Sequence, residues 1–210
     1  MRDPGNGRAD TQAPVRPTDA RANFDIVAVA SSAGGLAALT MLLSSVPSDL
    51  PASLLVVQHL DPRHRSLMAE ILARRTPLVV KQAQSGETAE PGTVYIAPPD
   101  KHLLANPDRT LALTQTELVH FVRPSADLLF ESVAAAYRER AIAVVLTGSG
   151  SDGSMGVRAI KKMGGTVIAQ DETTSEYFAM PNAAIGTGAV DFVLPIEDIA
   201  PALEIGRAHV

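Results

Sequence analysis

Three residues with reactive or proton-handling side chains stand after short apolar runs of the sequence. Ser32 follows IVAVA in the turn SSAGG, His59 follows SLLVV and one glutamine, and Asp152 lies in TGSGSDGS after AIAVVL. Acyl transfer needs such a set: a hydroxyl nucleophile, an imidazole to take and return its proton, and a carboxylate to orient the imidazole. Such apolar runs are typical of buried parallel strands, whose carboxyl ends share one edge of a sheet. We therefore expect the three side chains to converge at that edge.

Each of these residues also has an ordinary structural interpretation. The turn SSAGG could cradle a phosphate, although it matches neither G-x-G-x-x-G nor the P-loop, and it is not the G-x-S-x-G elbow of α/β-hydrolases. His59 could be a structural histidine at a strand end whose ring nitrogens are hydrogen bonded, and Asp152 could simply cap the following helix. A phosphate- or nucleotide-binding module and a catalytically silent interaction domain therefore stay open beside the acyl-transfer hypothesis.

Two backbone amides are candidates for holding the oxyanion that forms in acyl transfer. The N–H of Ala33 is next to the candidate nucleophile and close to the start of a predicted helix. The glycine-rich turn at 148–150 offers a second donor, for which we choose the N–H of Ser149. The glycines of that turn could instead serve only to make it tight.

Composition limits the classes of function. A chain of 210 residues with 46% hydrophobic residues suits one globular domain, and the formal net charge of −5 argues against a nucleic-acid surface. The absence of cysteine excludes thiol chemistry and fits a reducing cytoplasm. No apolar stretch approaches 18 residues, so we expect neither a membrane span nor a secretory signal.

Neither a metal ion nor a cofactor is expected. The remaining histidines are His64, His102, His120 and His209, and none has a partner at metal-ligand spacing. Acyl transfer by a hydroxyl, an imidazole and a carboxylate requires no cofactor.

The order of predicted elements indicates an α/β fold, a doubly wound and mostly parallel sheet with an antiparallel hairpin insertion. Strands are predicted at residues 26–30, 53–57, 78–80, 141–146, 166–169 and 190–194. Helices are predicted at 66–75, 155–163, 181–185 and 196–205, with others beginning near Leu36 and Ser125. In the helix at 66–75, we expect Leu67, Ile71 and Leu72 to face the core.

Two further regions have their own composition. Turn signals after residue 85 separate the short runs TVYIAP, KHLLA and TLALTQ, whose spacing predicts a small antiparallel meander. Residues 1–22 are rich in Pro, Gly, Asp and Arg, which predicts a disordered tail. The domain is predicted to cover residues 23–205, followed by a short tail at 206–210.

The sequence resembles the catalytic domain of the CheB family, the chemotaxis protein-glutamate methylesterases, over nearly its whole ordered length. The matching motifs are SSAGG at 31–35, VVQH at 56–59, GTVYIAPPDKH at 92–102, RPSADLLFESVA at 123–134, VVLTGSGSDGSMG at 144–156, IAQDE at 168–172 and FAMPNAAI at 178–185. The family's nucleophile, histidine and aspartate fall on Ser32, His59 and Asp152, and its oxyanion amides on Ala33 and Ser149. The resemblance implies a cytoplasmic serine hydrolase of signal transduction, acting without a cofactor.

As substrates, the resemblance implies glutamate γ-methyl esters, and in related enzymes glutamines, on the cytoplasmic helices of methyl-accepting chemoreceptors. The family usually has Gly-Ala-Ser before the turn, whereas this chain has Ala30-Ser31-Ser32, so Ser31 is an additional hydroxyl without an assigned role. Ser149 stands where methionine is common. We expect no attached receiver domain, which leaves open a separate regulatory protein as a partner.

Overall fold

The computed structural model describes residues 24–59, 66–119 and 121–208, and the predicted tail at 1–22 lies outside these ranges. The strands are β1 (Ile26–Ser31), β2 (Ser53–Gln58), β3 (Val79–Gln82), β4 (Thr93–Ile96), β5 (His102–Ala105), β6 (Leu111–Thr114), β7 (Ala141–Val145), β8 (Thr166–Gln170) and β9 (Phe192–Leu194). The α-helices are α1 (Gly35–Ser45), α2 (Met68–Ala73), α3 (Ala126–Tyr137), α4 (Ser154–Lys162), α5 (Ala179–Ile185) and α6 (Ile196–Ala208).

Within the described ranges, seven strands form one parallel sheet in the order β3-β4-β2-β1-β7-β8-β9. The other two, β5 and β6, form an antiparallel hairpin. From the central β1 the chain moves to one side of the sheet and later returns to pair β7 on the other side. This arrangement confirms the predicted fold class, a doubly wound parallel sheet with a hairpin insertion.

Both faces of the sheet are covered by helices. Along β1, Val27 and Val29 join the apolar layer that contains α1, α2 and α6, whereas Ile26, Ala28 and Ala30 join the layer that contains α3, α4 and α5. Burial on both faces explains why these strands are unbroken apolar runs rather than alternating ones. The hairpin packs against α3. Within the described ranges, the structure has no helix with the length and apolar character that crossing a membrane requires.

The predicted place of the run TVYIAP is wrong. Instead of joining an antiparallel meander, its residues Thr93–Ile96 form β4, which pairs in parallel with both β2 and β3. All four residues are buried, because a strand between two neighbours in a covered sheet is enclosed on both faces. The turn signals before it belong to the connection from β3 to β4. The runs KHLLA and TLALTQ do form the antiparallel hairpin.

Candidate active site

The candidate residues lie where the chain changes direction across the sheet. The carboxyl ends of β2, β1 and β7 are side by side. Ser32 directly follows β1, His59 follows β2, and Asp152 lies in the turn between β7 and α4. Open α/β sheets bind ligands in the crevice at such a switch point. The structure therefore has the three predicted residues at one edge of the sheet.

His59 and Asp152 are in direct contact. The distance between Nε2 of His59 and Oδ2 of Asp152 is 2.8 Å, and their side chains are 15% and 5% exposed. Since a carboxylate can only accept, this hydrogen bond assigns the proton of a neutral ring to Nε2 and leaves Nδ1 as the basic nitrogen. The end of β2 fixes the position of His59, whose backbone N–H donates to the carbonyl of Ser31 at 3.2 Å.

From the residues that the structure describes, the carboxylate of Asp152 accepts four hydrogen bonds. Oδ1 accepts from the Ser125 hydroxyl at 2.9 Å and the Asp127 N–H at 3.1 Å, and Oδ2 from His59 and the Ala126 N–H at 2.6 Å. The two amides belong to the first turn of α3, where the helix dipole favours negative charge. Burial pushes the pKa of Asp152 upward, but the hydrogen bonds from His59 and the two amides outweigh it and hold that pKa below its ordinary value. Asp152 is therefore a fixed negative charge.

A second acid caps the helix that follows Asp152. Oδ1 of Asp127 accepts the N–H groups of Met155 at 2.9 Å and Gly156 at 2.7 Å, in the first turn of α4. Asp152 thus caps α3 while Asp127 caps α4, so the interpretation in which Asp152 caps its own following helix is wrong. The two helices pack closely, since a Cβ built on Gly156 would lie 2.5 Å from Cβ of Phe130. Their packing orients the Asp152 carboxylate.

Ser32 begins the turn that joins β1 to α1. Its N–H donates to the carbonyl of Thr147 at 3.1 Å, and its own carbonyl accepts the N–H of Gly35 at 2.9 Å. Gly34 stands before α1 with a φ of 75°, in the left-handed region that favours glycine. Among the described residues, the hydroxyl of half-buried Ser32 has no hydrogen-bond partner. The side chains of Ser32 and His59 are therefore not hydrogen bonded to each other. Such contacts commonly tighten only when substrate is bound.

The turn after β7 packs on the turn that contains Ser32. The Thr147 hydroxyl donates to the carbonyl of Ala33 at 3.1 Å, and a Cβ built on Gly148 would lie 2.9 Å from Cβ of Ser32. In the part of the chain that the structure describes, the N–H groups of Ala33 and Ser149 donate to no protein acceptor. Two uncommitted amides on turns that meet beside a serine have the character of an oxyanion site.

Three polar residues that support this edge were not predicted as part of the site. Gln58 is the last residue of β2, Ser125 was expected only at a helix start, and His102 was considered only as a metal ligand. His102 is buried on β5, where Nδ1 accepts the N–H of Ser125 at 3.1 Å and Nε2 donates to the carbonyl of Glu117 at 3.1 Å. The sequence feature that could have indicated Gln58 as part of the site is a polar residue at the end of a buried strand. Ser125 reaches Asp152 through the packing of α3 on α4, and His102 reaches Ser125 through the packing of the hairpin on α3.

An apolar groove of about 700 Å³ begins at Ser32 and runs between α1 and α2. It is lined by Leu36, Met41 and Ile71, whose exposed fractions are 39%, 50% and 40%. The expectation that Leu67 and Ile71 face the core is wrong, because α2 begins only at Met68 and buries a different face, formed by Met68, Ala69 and Leu72. The apolar side chains beside the candidate nucleophile are therefore on the surface.

The fold and this edge define a doubly wound α/β protein with a candidate hydrolytic site at its switch point. The chain belongs to the CheB methylesterase family, whose model matches residues 27–203. It is similar to the catalytic domain of Thermotoga maritima CheB methylesterase, with a TM-score of 0.82 and 39% identity over 86% of this chain and 97% of that one.

Curated relatives carry matching names. A protein-glutamate methylesterase/protein-glutamine glutaminase of Rhizobium meliloti is 43% identical over 96% of this chain, and one of Moorella thermoacetica is 40% identical over 87%. The chain spans 58% and 44% of the lengths of these two proteins. A putative enzyme of the same name from Leptospira interrogans is 38% identical over 85% of this chain and 92% of its own length.

Proposed function

We propose that this chain is a protein-glutamate methylesterase that uses Ser32 as nucleophile, His59 as general base and acid, and Asp152 to orient the histidine. The observation that carries the proposal is the 2.8 Å hydrogen bond between His59 and Asp152, located at the same sheet edge as Ser32 in a member of the CheB methylesterase family. A relative 43% identical to the chain is named for both methylesterase and glutaminase activity, which supports the reaction class.

In the proposed acylation step, Nδ1 of His59 takes the hydroxyl proton as Oγ of Ser32 attacks the γ-carbonyl carbon of a glutamate methyl ester. The carbonyl oxygen becomes an oxyanion, held by the N–H groups of Ala33 and Ser149. The intermediate then collapses, and His59 gives its proton to the departing methoxide oxygen. Methanol leaves, and the glutamyl group stays bound as an ester of Ser32.

In the proposed deacylation step, His59 takes a proton from a water molecule, whose oxygen attacks the acyl carbon. The second oxyanion uses the same two amides, and His59 returns the proton to Oγ of Ser32. The products are a glutamate carboxylate and the free enzyme. Throughout, Asp152 stays ionised, as its lowered pKa supports, and stabilises the imidazolium in each half-reaction. A glutamine side chain would follow the same course with ammonia as the leaving group.

We further propose that the substrates are methylated helices of the cytoplasmic part of methyl-accepting chemoreceptors, and that the enzyme works in the cytoplasm. The groove that opens at Ser32 supports a substrate larger than a simple ester, because Leu36, Met41 and Ile71 offer apolar contact beyond the reacting group. A helix that carries the ester into the site would lay neighbouring side chains along that groove.

The experiment is methanol release by the purified chain from a methyl-esterified chemoreceptor cytoplasmic fragment, compared with N-acetylglutamate γ-methyl ester at equal ester concentration. We expect a higher kcat/KM for the receptor fragment. If neither ester yields methanol above the uncatalysed rate, the function is not ester hydrolysis. If the small ester is the better substrate, the proposed receptor substrate is wrong while ester hydrolysis stands.

A further inference from the structure

Ser31 and Gln58 form a buried polar pair directly behind the candidate nucleophile and base. They are the last residues of β1 and β2 and face each other in the parallel register of the sheet. Ser31 is fully buried and Gln58 is 6% exposed. Polar side chains at such positions are costly unless their hydrogen bonds are made.

The hydrogen bonds of this pair fix the orientation of the Gln58 carboxamide. The Ser31 hydroxyl donates to Oε1 of Gln58 at 2.6 Å, so the oxygen of the amide faces β1. The amide nitrogen therefore faces Ser32, which follows β1, and His59, which follows β2. Nε2 donates to the carbonyl of Ser32 at 2.6 Å and to the carbonyl of His59 at 3.1 Å. One amide group thus holds the backbones of the two residues that must exchange a proton.

The turn after β1 leaves room for this arrangement. A Cβ built on Gly35 would lie 2.0 Å from Oε1 of Gln58 and 2.8 Å from Oγ of Ser31, so a side chain at position 35 would displace the pair. Because Gly35 has no side chain, the Gln58 amide can reach the Ser32 carbonyl. A phosphate ligand is not needed to explain this small residue.

We propose that Gln58 is a positioning residue that sets the separation of Ser32 and His59, and that Ser31 acts through Gln58 by holding its carboxamide in the working orientation. This inference depends on the proposed function for its chemical meaning. The two backbone carbonyls are tied to one planar amide, so the loss of that amide removes two of the hydrogen bonds that hold the turns at a fixed separation and leaves the His59 N–H to Ser31 carbonyl bond between them. Misplacement of reacting groups by about 1 Å can cost roughly 10²-fold in rate.

The test uses Gln58→Met, which keeps the length of the side chain and removes its donors, Ser31→Ala, and the double variant. We expect kcat for methanol release to fall about 100-fold in Gln58→Met and about 10-fold in Ser31→Ala, with KM unchanged. Because Ser31 acts through Gln58, the double variant should match Gln58→Met alone rather than multiply the two losses. The matched control is Ser53→Ala, a buried serine at the other end of β2, which should retain full kcat.

A second readout separates this inference from the proposed function. The rate at which a serine-directed phosphonate labels Ser32 measures activation of the hydroxyl without a receptor substrate, at a temperature well below the measured melting point of each variant. Slower labelling of Gln58→Met and Ser31→Ala supports the inference even if no receptor ester is hydrolysed. Labelling and kcat at the wild-type level in folded Ser31→Ala, or multiplied losses in the double variant, would overturn it. So would a wild-type protein whose Ser32 is not labelled, since no activated hydroxyl would then exist to be positioned.

Discussion

Replacing Asp152 by asparagine removes the negative charge and half of the acceptor capacity of the most connected side chain of the site. The carboxylate accepts from His59, Ser125, Ala126 and Asp127. An asparagine that keeps its oxygen at the Oδ1 position can still accept from Ser125 and Asp127. Its NH₂ group then faces the N–H of Ala126 and Nε2 of His59, both of which are donors in the wild type.

These contacts set the expected losses of stability and of kcat in Asp152→Asn. The Ala126 amide loses a partner at 2.6 Å and is left buried, which costs about 1–3 kcal/mol, and the lost charge at the start of α3 adds about 1 kcal/mol. We therefore expect the free energy of unfolding to fall by about 2–4 kcal/mol at neutral pH. To accept from the new NH₂ group, His59 must move its proton to Nδ1, the nitrogen proposed as the base. The wrong tautomer should lower kcat by about 10⁴, the size of this effect in a serine protease triad.

The pH dependence of stability gives an independent check of the charge. Because the pKa of Asp152 is lowered in the folded protein, its ionised form stabilises the fold above the unfolded-state pKa, and that contribution is lost as the pH falls through the folded-state pKa. The difference in unfolding free energy between wild type and Asp152→Asn should shrink in acid.

The assays are methanol release at neutral pH and urea unfolding at a series of pH values. Asp191→Asn is the control, since Asp191 also accepts a backbone N–H, from Val167 at 2.9 Å, and pairs with Lys161 at the opposite edge of the sheet. It should lose stability and keep kcat. If Asp152→Asn retains kcat within tenfold of the wild type, the proposed role of Asp152 is wrong. An unfolding free energy unchanged at neutral pH would contradict its role at the start of α3.

Two further predictions concern the oxyanion turn and a distant ion pair. Gly148→Ala should lower kcat by about 10–100-fold, because the new Cβ would lie 2.3 Å from Sδ of Met180 and 2.9 Å from Cβ of Ser32. The turn would have to shift and would displace the N–H of Ser149. An unchanged kcat for methanol release would exclude that N–H from the reaction. Asp25→Asn should lower the free energy of unfolding by about 1 kcal/mol above pH 5 and leave kcat unaltered. The hydrogen bond from partly exposed Arg140 lowers the pKa of Asp25, so the stability that ionised Asp25 contributes disappears in acid. Urea unfolding of Asp25→Asn with equal differences at pH 7 and pH 3 would contradict this assignment.

The sheet could be predicted because its strands are covered on both faces. Their short unbroken apolar runs mark β1, β2 and β7 directly, and the rule that parallel strands share a carboxyl edge brings Ser32, His59 and Asp152 to the same place. The position of β4 was missed because turn signals on both sides of TVYIAP have the spacing of a meander. Burial on both faces, rather than spacing, distinguishes such a strand, and burial depends on neighbours far along the chain.

The environment of Asp152 could not be predicted from the sequence alone. Its partners Ser125, Ala126 and Asp127 are about 25 residues away and reach it through the close crossing of α3 and α4. A local pattern instead suggested the following helix, which Asp127 caps. The role of Gln58 was hidden for a similar reason, because its hydrogen bonds cross from β2 to the turn after β1.

The role of Ser32 as nucleophile is tested by kcat for methanol release by Ser32→Ala from the methyl-esterified receptor fragment. We expect kcat to fall by about 10⁴ to 10⁶ relative to the wild type, since triad residues act as a unit. The control is Ser44→Ala, a change of an exposed serine near the end of α1, which should release methanol at the wild-type rate. A Ser32→Ala protein that retains kcat within tenfold of the wild type would show that Ser32 is not the nucleophile.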